Sequence, residues 1–201
     1  MLVLGLTGGI ACGKSTISQT LAEQGAVIVD GDQLSRELTA EDGAALGDIR
    51  AAFGDGVFHP DGTLDRRALG AVVFAEDKAR ETLDAIMQPL LLTLILRDIE
   101  NARSAGAAVC VLDMPLLYEK GLERLCDRVW CAYIPRALQL ERLMARDGFT
   151  LEEAENRLRS QLPAEEKAAR ADVVIDTSGP MDYTKESVIS LYAKEAGNCA
   201  G

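Results

Sequence analysis

Leu2-Val3-Leu4-Gly5-Leu6-Thr7-Gly8-Gly9-Ile10-Ala11-Cys12-Gly13-Lys14-Ser15-Thr16 stands at the head of the chain. An apolar run leads directly into G-x-x-x-x-G-K-[ST] at residues 8–15, and residues 16–24 continue with helix-like spacing. Strand, glycine-rich turn and helix, in that order, are the context in which this motif has a mechanism. Backbone N–H groups of the turn and the positive end of the helix dipole converge on one anion. The pattern predicts that Gly8–Thr16 cradle the phosphates of a nucleoside triphosphate. Lys14 is expected to reach the β- and γ-phosphates, and Ser15 to place its hydroxyl on Mg²⁺. The competing reading, a glycine turn with a chance Gly-Lys-Ser, does not account for the strand before it and the helix after it.

The chain has 201 residues and a formal net charge of −11. Its length suits one α/β domain with a sizeable core. The charge has the wrong sign for a protein that grips a nucleic-acid backbone, so no nucleic-acid partner is expected. Between Arg136 and Arg170, seven Lys or Arg balance seven Asp or Glu, so the negative excess lies elsewhere. A local arginine cluster on an acidic protein fits a small anionic ligand. No apolar run approaches the roughly 20 residues of a membrane span, and the first strand begins where a signal peptide would stand. The five cysteines (12, 110, 126, 131 and 199) form no C-x-x-C pair, as expected of reduced thiols in a cytoplasmic protein. Cys12 reads as a small residue facing away from the ligand, with a redox role as the alternative. The single histidine, His59, lies in a turn, so any proton transfer falls to a carboxylate.

Five apolar segments read as buried parallel strands: Leu2–Leu6, Ala26–Asp30, Ala107–Asp113, Arg128–Ile134 and Asp172–Asp176. Helical patterns occupy Lys14–Gln24, Arg66–Phe74, Asp77–Ser104, Arg136–Arg146, Thr150–Gln161 and Asp182–Glu195. Thr150-Leu151-Glu152-Glu153 has the form of a capping box. Pro89 is expected to kink or divide its helix near Gln88. The alternation predicts a doubly wound five-stranded parallel sheet. Two long intervals break it and define the expected organisation of a single domain. The core covers about 1–56, 106–141 and 171–201, a helical insertion covers about 57–105, and an arginine-rich lid covers about 142–170.

Ligands of open α/β sheets bind beyond the carboxyl ends of the strands. Asp32, just past strand two, is a candidate to receive the proton of an attacking hydroxyl; the alternative is a helix cap, for which Asp30 is better placed. Asp113 ends strand three where a Mg²⁺-contacting carboxylate is expected, with a turn aspartate as the alternative. Arg142, Arg146 and Arg159 are candidates to clamp phosphate, against ordinary solvated helix charge. Arg142 and Arg146 share one helix face, which favours an anion between them. No Asn-Lys-x-Asp element for guanine is present. These features suggest a small-molecule kinase; a nucleoside, nucleotide or shikimate kinase and a non-catalytic nucleotide-binding module remain open.

Several motifs, in order, resemble the dephospho-CoA kinase family, over Leu4 to Gly179. Gly5–Thr16 resembles its G-L-T-G-G-I-G-S-G-K-S-T, and Asp30-Gly31-Asp32 with Arg36 its D-A-D and following arginine. Asp61-Gly62-Thr63-Leu64-Asp65-Arg66-Arg67-Ala68-Leu69, continued by Val73-Phe74, is similar to D-G-x-L-D-R-x-x-L. Val111–Glu119 is similar to V-x-D-x-P-L-L-F-E. Gln139, Arg142, Arg146, Arg157 and Gln161 match its later spacing, and Ala171–Ile175 its A-D-x-V-I.

The resemblance implies a P-loop kinase that moves the γ-phosphate of ATP to the ribose 3′-hydroxyl of dephospho-CoA, the last step of coenzyme A synthesis. It implies Asp32 as general base, with Lys14 and Arg142 also catalytic. Gly8, Gly9, Ile10, Ala11, Cys12, Gly13, Lys14, Ser15, Thr16, Arg146 and Asp176 would bind ATP. Thr7, Asp32, Arg36, Leu64, Asp65, Arg66, Gln88, Pro115 and Leu117 would serve the acceptor, and Ser15 and Asp113 the Mg²⁺. No membrane partner is implied, and a monomer or weak oligomer is expected. The chain departs from the family pattern where Ala11 and Cys12 replace Gly and Ser, Gln88 stands for a histidine, and Asp176 stands where asparagine is frequent. Ala11 lacks glycine's cheap access to positive φ.

Overall fold

A computed structural model describes residues 1–198, except the side chains of Phe74 and Asn198; Cys199 lies outside the described residues. Two compact units are present, Met1–Val29 with the chain from Ile99 onward, and Asp30–Asp98.

The first unit is built on a parallel sheet in the order β2-β3-β1-β4-β5. The strands are β1 (Leu2–Gly8), β2 (Val27–Asp30), β3 (Val109–Asp113), β4 (Arg128–Tyr133) and β5 (Val173–Asp176). All five segments read from the sequence are strands, because continuous Val, Leu and Ile runs can bury both faces of a central parallel strand. β1 lies in the middle, with Leu6 opposite Asp113 on β3 and Gly8 opposite Ala132 on β4. Side chains alternate across the sheet. Leu4, Leu6, Val111, Trp130 and Ile175 join Ile17, Leu21 and Val188 in one core cluster. Ile17 and Leu21 come from α1 (Lys14–Glu23) and Val188 from α9 (Met181–Asn198). On the other face, a Cβ at Gly5 would stand 2.8 Å from Cys126 Sγ and 2.9 Å from Leu117 Cδ2, so no larger residue fits.

The second unit holds α2 (Gly31–Leu38), α3 (Leu46–Phe53) and α4 (Arg66–Ala75), with the first part of α5 (Asp77–Ser104). Its own core gathers Leu38, Ala45, Ile49, Val57 and Leu69, with Phe53, Met87 and Leu90 packed against them. The sequence predicts a helical insertion without placing α2 and α3. Both are only eight residues long, and α2 starts with glycine, so periodicity is faint. α5 runs unbroken across Pro89, a correction to the expected division near Gln88. Proline removes one backbone donor but leaves the flanking turns intact, and Thr93 Oγ1 donates to the Pro89 carbonyl at 2.9 Å.

Beyond β4 come α6 (Arg136–Asp147), α7 (Leu151–Arg159) and α8 (Ala164–Arg170), all in the first unit. α8 was not read from the sequence; Pro163 at its N-cap and a seven-residue length hide it. The capping box at Thr150 is present in full, with Thr150 Oγ1 accepting from the Glu153 N–H and Glu153 accepting from the Thr150 N–H at 2.8 Å. Cys12, Cys110 and Cys131 are buried free thiols and Cys126 is half-buried. Burial pushes the Cys126 and Cys131 thiols up to about 12.

Thr150→Ala removes one side of the capping box and is expected to cost about 1 kcal/mol, lowering the melting temperature by roughly 2–4 °C in a chain of this size. At pH 8, a thiol shifted to about 12 holds on the order of a thousandfold less thiolate than a free cysteine. Peptide mapping after brief alkylation of the native protein should therefore leave Cys126 and Cys131 unmodified, and unfolding should expose them. Rapid native labelling of either would contradict their placement.

Candidate functional site

The phosphate loop leaves the end of β1 and re-enters the structure as the first turn of α1. Gly13 caps that helix in the left-handed region, at φ 72°, and no side chain caps it. The first-turn N–H groups of a helix have no intrahelical partners, so an uncapped N-terminus presents donors to an anion. Gly9 has no room for a side chain, since a Cβ would stand 2.4 Å from Gln139 Nε2.

Ala11 adopts φ 60°, the conformation its side chain resists. Such strain of about 1 kcal/mol survives where neighbours over-determine the backbone, and both flanking carbonyls are held. Gln139 Nε2 donates to the Ile10 carbonyl at 2.9 Å, and Thr177 Oγ1 donates to the Cys12 carbonyl at 2.7 Å. Gln139 and Thr177 are themselves buried. Cys12 Sγ faces Gln139 Nε2 at 3.3 Å, and burial pushes its thiol up. It is a packing residue pointing inward, not a reactive thiol.

Lys14 forms an ion pair with Asp113, whose carboxylate is almost wholly buried. The pairing follows from register: Leu6 opposite Asp113 sets this carboxylate beside the root of the loop. Ser15 and its hydroxyl are exposed at the helix start, one residue after Lys14. Oxygen donors from one hydroxyl and one carboxylate suit Mg²⁺, which keeps waters and takes the rest of its shell from phosphate. Among the described residues no group of three or more His, Cys, Asp or Glu could hold a metal.

The arginines are engaged in ways the sequence did not show. Arg142 Nη2 donates to the carbonyls of Thr177 and Ser178 at 2.9 and 3.4 Å. Arg146 grips Asp147 with two bonds of 2.8 Å, and Arg159 pairs with Glu155. Each of the two arginines on this face of α6 thus has protein partners of its own. Asp176 accepts from the Ser178 N–H at 2.8 Å, and its hydrogen bonds from Ser178 hold its carboxyl below the usual range. A cavity of about 270 Å³ lies where Gly9 and Ile10 face Arg136, Gln139, Arg159 and Leu162.

At the end of β1, Thr7 is fully buried and donates to the Pro115 carbonyl at 3.0 Å. Leu117 is fully buried as well, against Gly5. Both therefore support the loop after β3 from beneath, with Pro115 half-buried at its surface.

In the second unit, Asp30 is the N-cap of α2, accepting from the N–H groups of Asp32 and Gln33 at 2.8 and 3.1 Å. Asp32 is left in the first turn with an exposed side chain. Arg36 lies four residues on, also exposed and on the same helix face. Asp65 caps α4 through the N–H groups of Arg67 and Ala68, Leu64 packs on the unit's core, and Arg66 donates to the carbonyls of Arg36 and Thr39. Gln88 is exposed on α5. Gln139 could be found from its motif spacing and Glu119 as the last residue of the Val111–Glu119 motif; Thr177 and Lys167 carried no motif of their own.

Comparison with known proteins agrees with this architecture. A sequence profile described as dephospho-CoA kinase matches residues 2–182. The dephospho-CoA kinase of Geobacter sulfurreducens is 45% identical over 194 residues, covering 96% of this chain and 98% of its own. A solved dephospho-CoA kinase from Campylobacter jejuni superposes with a TM-score of 0.74 at 28% identity, covering 98% of each chain. The structure of TT1252 from Thermus thermophilus reaches a TM-score of 0.82 at 30% identity, over 96% of this chain and 97% of its own. The loop after β1 and the strand ends around it thus sit within a match spanning nearly the whole sequence, and the chain belongs to the dephospho-CoA kinase family, ATP-dependent enzymes that transfer phosphate.

Proposed function

We propose that this chain transfers the γ-phosphate of ATP to the ribose 3′-hydroxyl of dephospho-CoA, with Asp32 as the proton acceptor and Lys14 as the phosphate-binding cation. The observation that carries the role of Asp32 is the division of labour at the start of α2. Asp30 satisfies the helix N-terminus, so the exposed carboxylate of Asp32 has no capping duty. A carboxylate next to a developing alkoxide supplies general-base catalysis worth about 10² to 10⁴ in rate. Lys14 exchanges the Asp113 carboxylate for phosphate oxygens, aided by the uncapped N–H groups of α1.

Ser15 and Asp113 hold Mg²⁺ in this reading. When bound, the metal would supply positive charge to offset the charge that develops on the phosphate oxygens during transfer. Arg142 keeps the Thr177–Ser178 turn in place with one nitrogen and has other donors for the nucleotide. Asp176 shapes the same turn through Ser178. Arg146 joins only by releasing Asp147. Arg36, Arg66 and Gln88 provide exposed donors for the acceptor, while Thr7, Leu64, Asp65 and Leu117 contribute through packing and capping. Free thiols support a cytoplasmic setting.

Purified protein with Mg-ATP should form 3′-phosphorylated product from dephospho-CoA and none from shikimate or nucleosides; turnover of another acceptor alone would overturn the assignment. Asp32→Asn should lower kcat by about 10² or more while the Kd for ATP stays within about twofold. Near-wild-type kcat would remove Asp32 from proton transfer. Asp113→Asn should raise the Mg²⁺ concentration giving half-maximal rate by about tenfold or more, and an unchanged Mg²⁺ titration would take Asp113 out of the metal site.

A further inference from the structure

Lys167 is fully buried, with no exposed side-chain surface, in a short helix whose neighbours Glu165 and Glu166 face solvent. Lysine normally keeps its ammonium in water, and burial is costly unless every donor is answered. Its Nζ donates to the Pro115 carbonyl at 2.6 Å and pairs with Glu119 Oε1 at 2.8 Å. Each of these oxygens has a second donor: Thr7 Oγ1 reaches the Pro115 carbonyl at 3.0 Å, and the Leu162 N–H reaches Glu119 Oε1 at 2.9 Å. The ammonium thus joins α8 to the Pro115–Glu119 loop after β3 at two points, and the same two oxygens bind that loop to the end of β1 through Thr7 and to the turn between α7 and α8 through Leu162.

We propose that Lys167 is a positioning residue for phosphoryl transfer, holding the Pro115 loop at a set distance from the root of the phosphate loop. The proposal rests on the reading that Pro115 borders the acceptor. A stabilising role alone would not call for an ammonium, since well-packed apolar residues replace buried ion pairs without loss of stability. A lysine that anchors a main-chain carbonyl does what an apolar residue cannot: it fixes where that loop lies. The contacts that hold the ATP side of the loop, Gln139 to Ile10 and Thr177 to Cys12, involve none of these groups. A defect at Lys167 should therefore fall on the acceptor and spare ATP.

The test compares full-length wild type, Glu119→Gln and the double variant Glu119→Gln/Lys167→Met. The glutamine keeps an oxygen for the Leu162 N–H, and the double variant leaves no unpaired buried charge, so relative to Glu119→Gln it loses only the bonds of Lys167 to the loop, while Thr7 still donates to the Pro115 carbonyl. The double variant should melt at or above the temperature of Glu119→Gln. Its kcat/KM for dephospho-CoA should fall by about tenfold or more, with the Kd for ATP within about twofold of wild type. Glu119→Gln alone should keep kcat/KM within about threefold. Equal kcat/KM in the two variants, or loss of ATP affinity in step with the melting temperature, would overturn the proposal and leave Lys167 a structural ion pair. Hydrogen exchange of wild-type amides 116–118 with and without dephospho-CoA tests the acceptor reading separately, because protection there depends on no variant.

Discussion

The site depends on one constraint: β1 is bonded on both sides, to β3 and β4, and must discharge its end as a loop that turns straight into a helix. A strand flanked on both edges cannot shift sideways, so the loop inherits a fixed origin. The same register that places Leu6 opposite Asp113 delivers a buried carboxylate to Lys14. Buried opposite charges interact far more strongly than exposed ones. The pair holds the lysine side chain at the loop.

The loop itself is held by groups remote in sequence. Gln139 from α6 and Thr177 beyond β5 bind the carbonyls on either side of Ala11. Those two bonds explain how a residue with a Cβ sits at φ 60°, a conformation that favours glycine. They also connect the phosphate loop to the turn that Arg142 grips, so the loop and the segment after β5 share one hydrogen-bonded frame. Cys12, the second unusual residue of the loop, is absorbed into the same frame as a buried thiol beside Gln139.

In the second unit, aspartates divide into two kinds. Asp30 and Asp65 accept backbone N–H groups at helix starts, the commonest employment of an aspartate at such a position. Asp32 stands beside the first of them and is not so employed. Its availability is a consequence of Asp30 having taken the cap, which is a local event that follows from the spacing of two residues.

Much was legible in the chain alone because it depended on neighbours in sequence. The strands and most helices follow from apolar periodicity; the phosphate loop, the Thr150 capping box and the cap at Asp30 follow from spacings of two to seven residues. The family pattern, read as ordered motifs, implied roles for Lys14, Asp32 and Asp113. What tertiary structure decided concerns groups more than 30 residues apart. Arg142 turned out to hold carbonyls after β5, Thr7 and Leu117 proved to be buried supports, and a lysine without any motif, Lys167, became a buried anchor of the Pro115–Glu119 loop. The physical reason is the same in each case. A charged or polar side chain on a helix reads as solvated until packing removes its water, and only the folded chain shows which oxygens replace it.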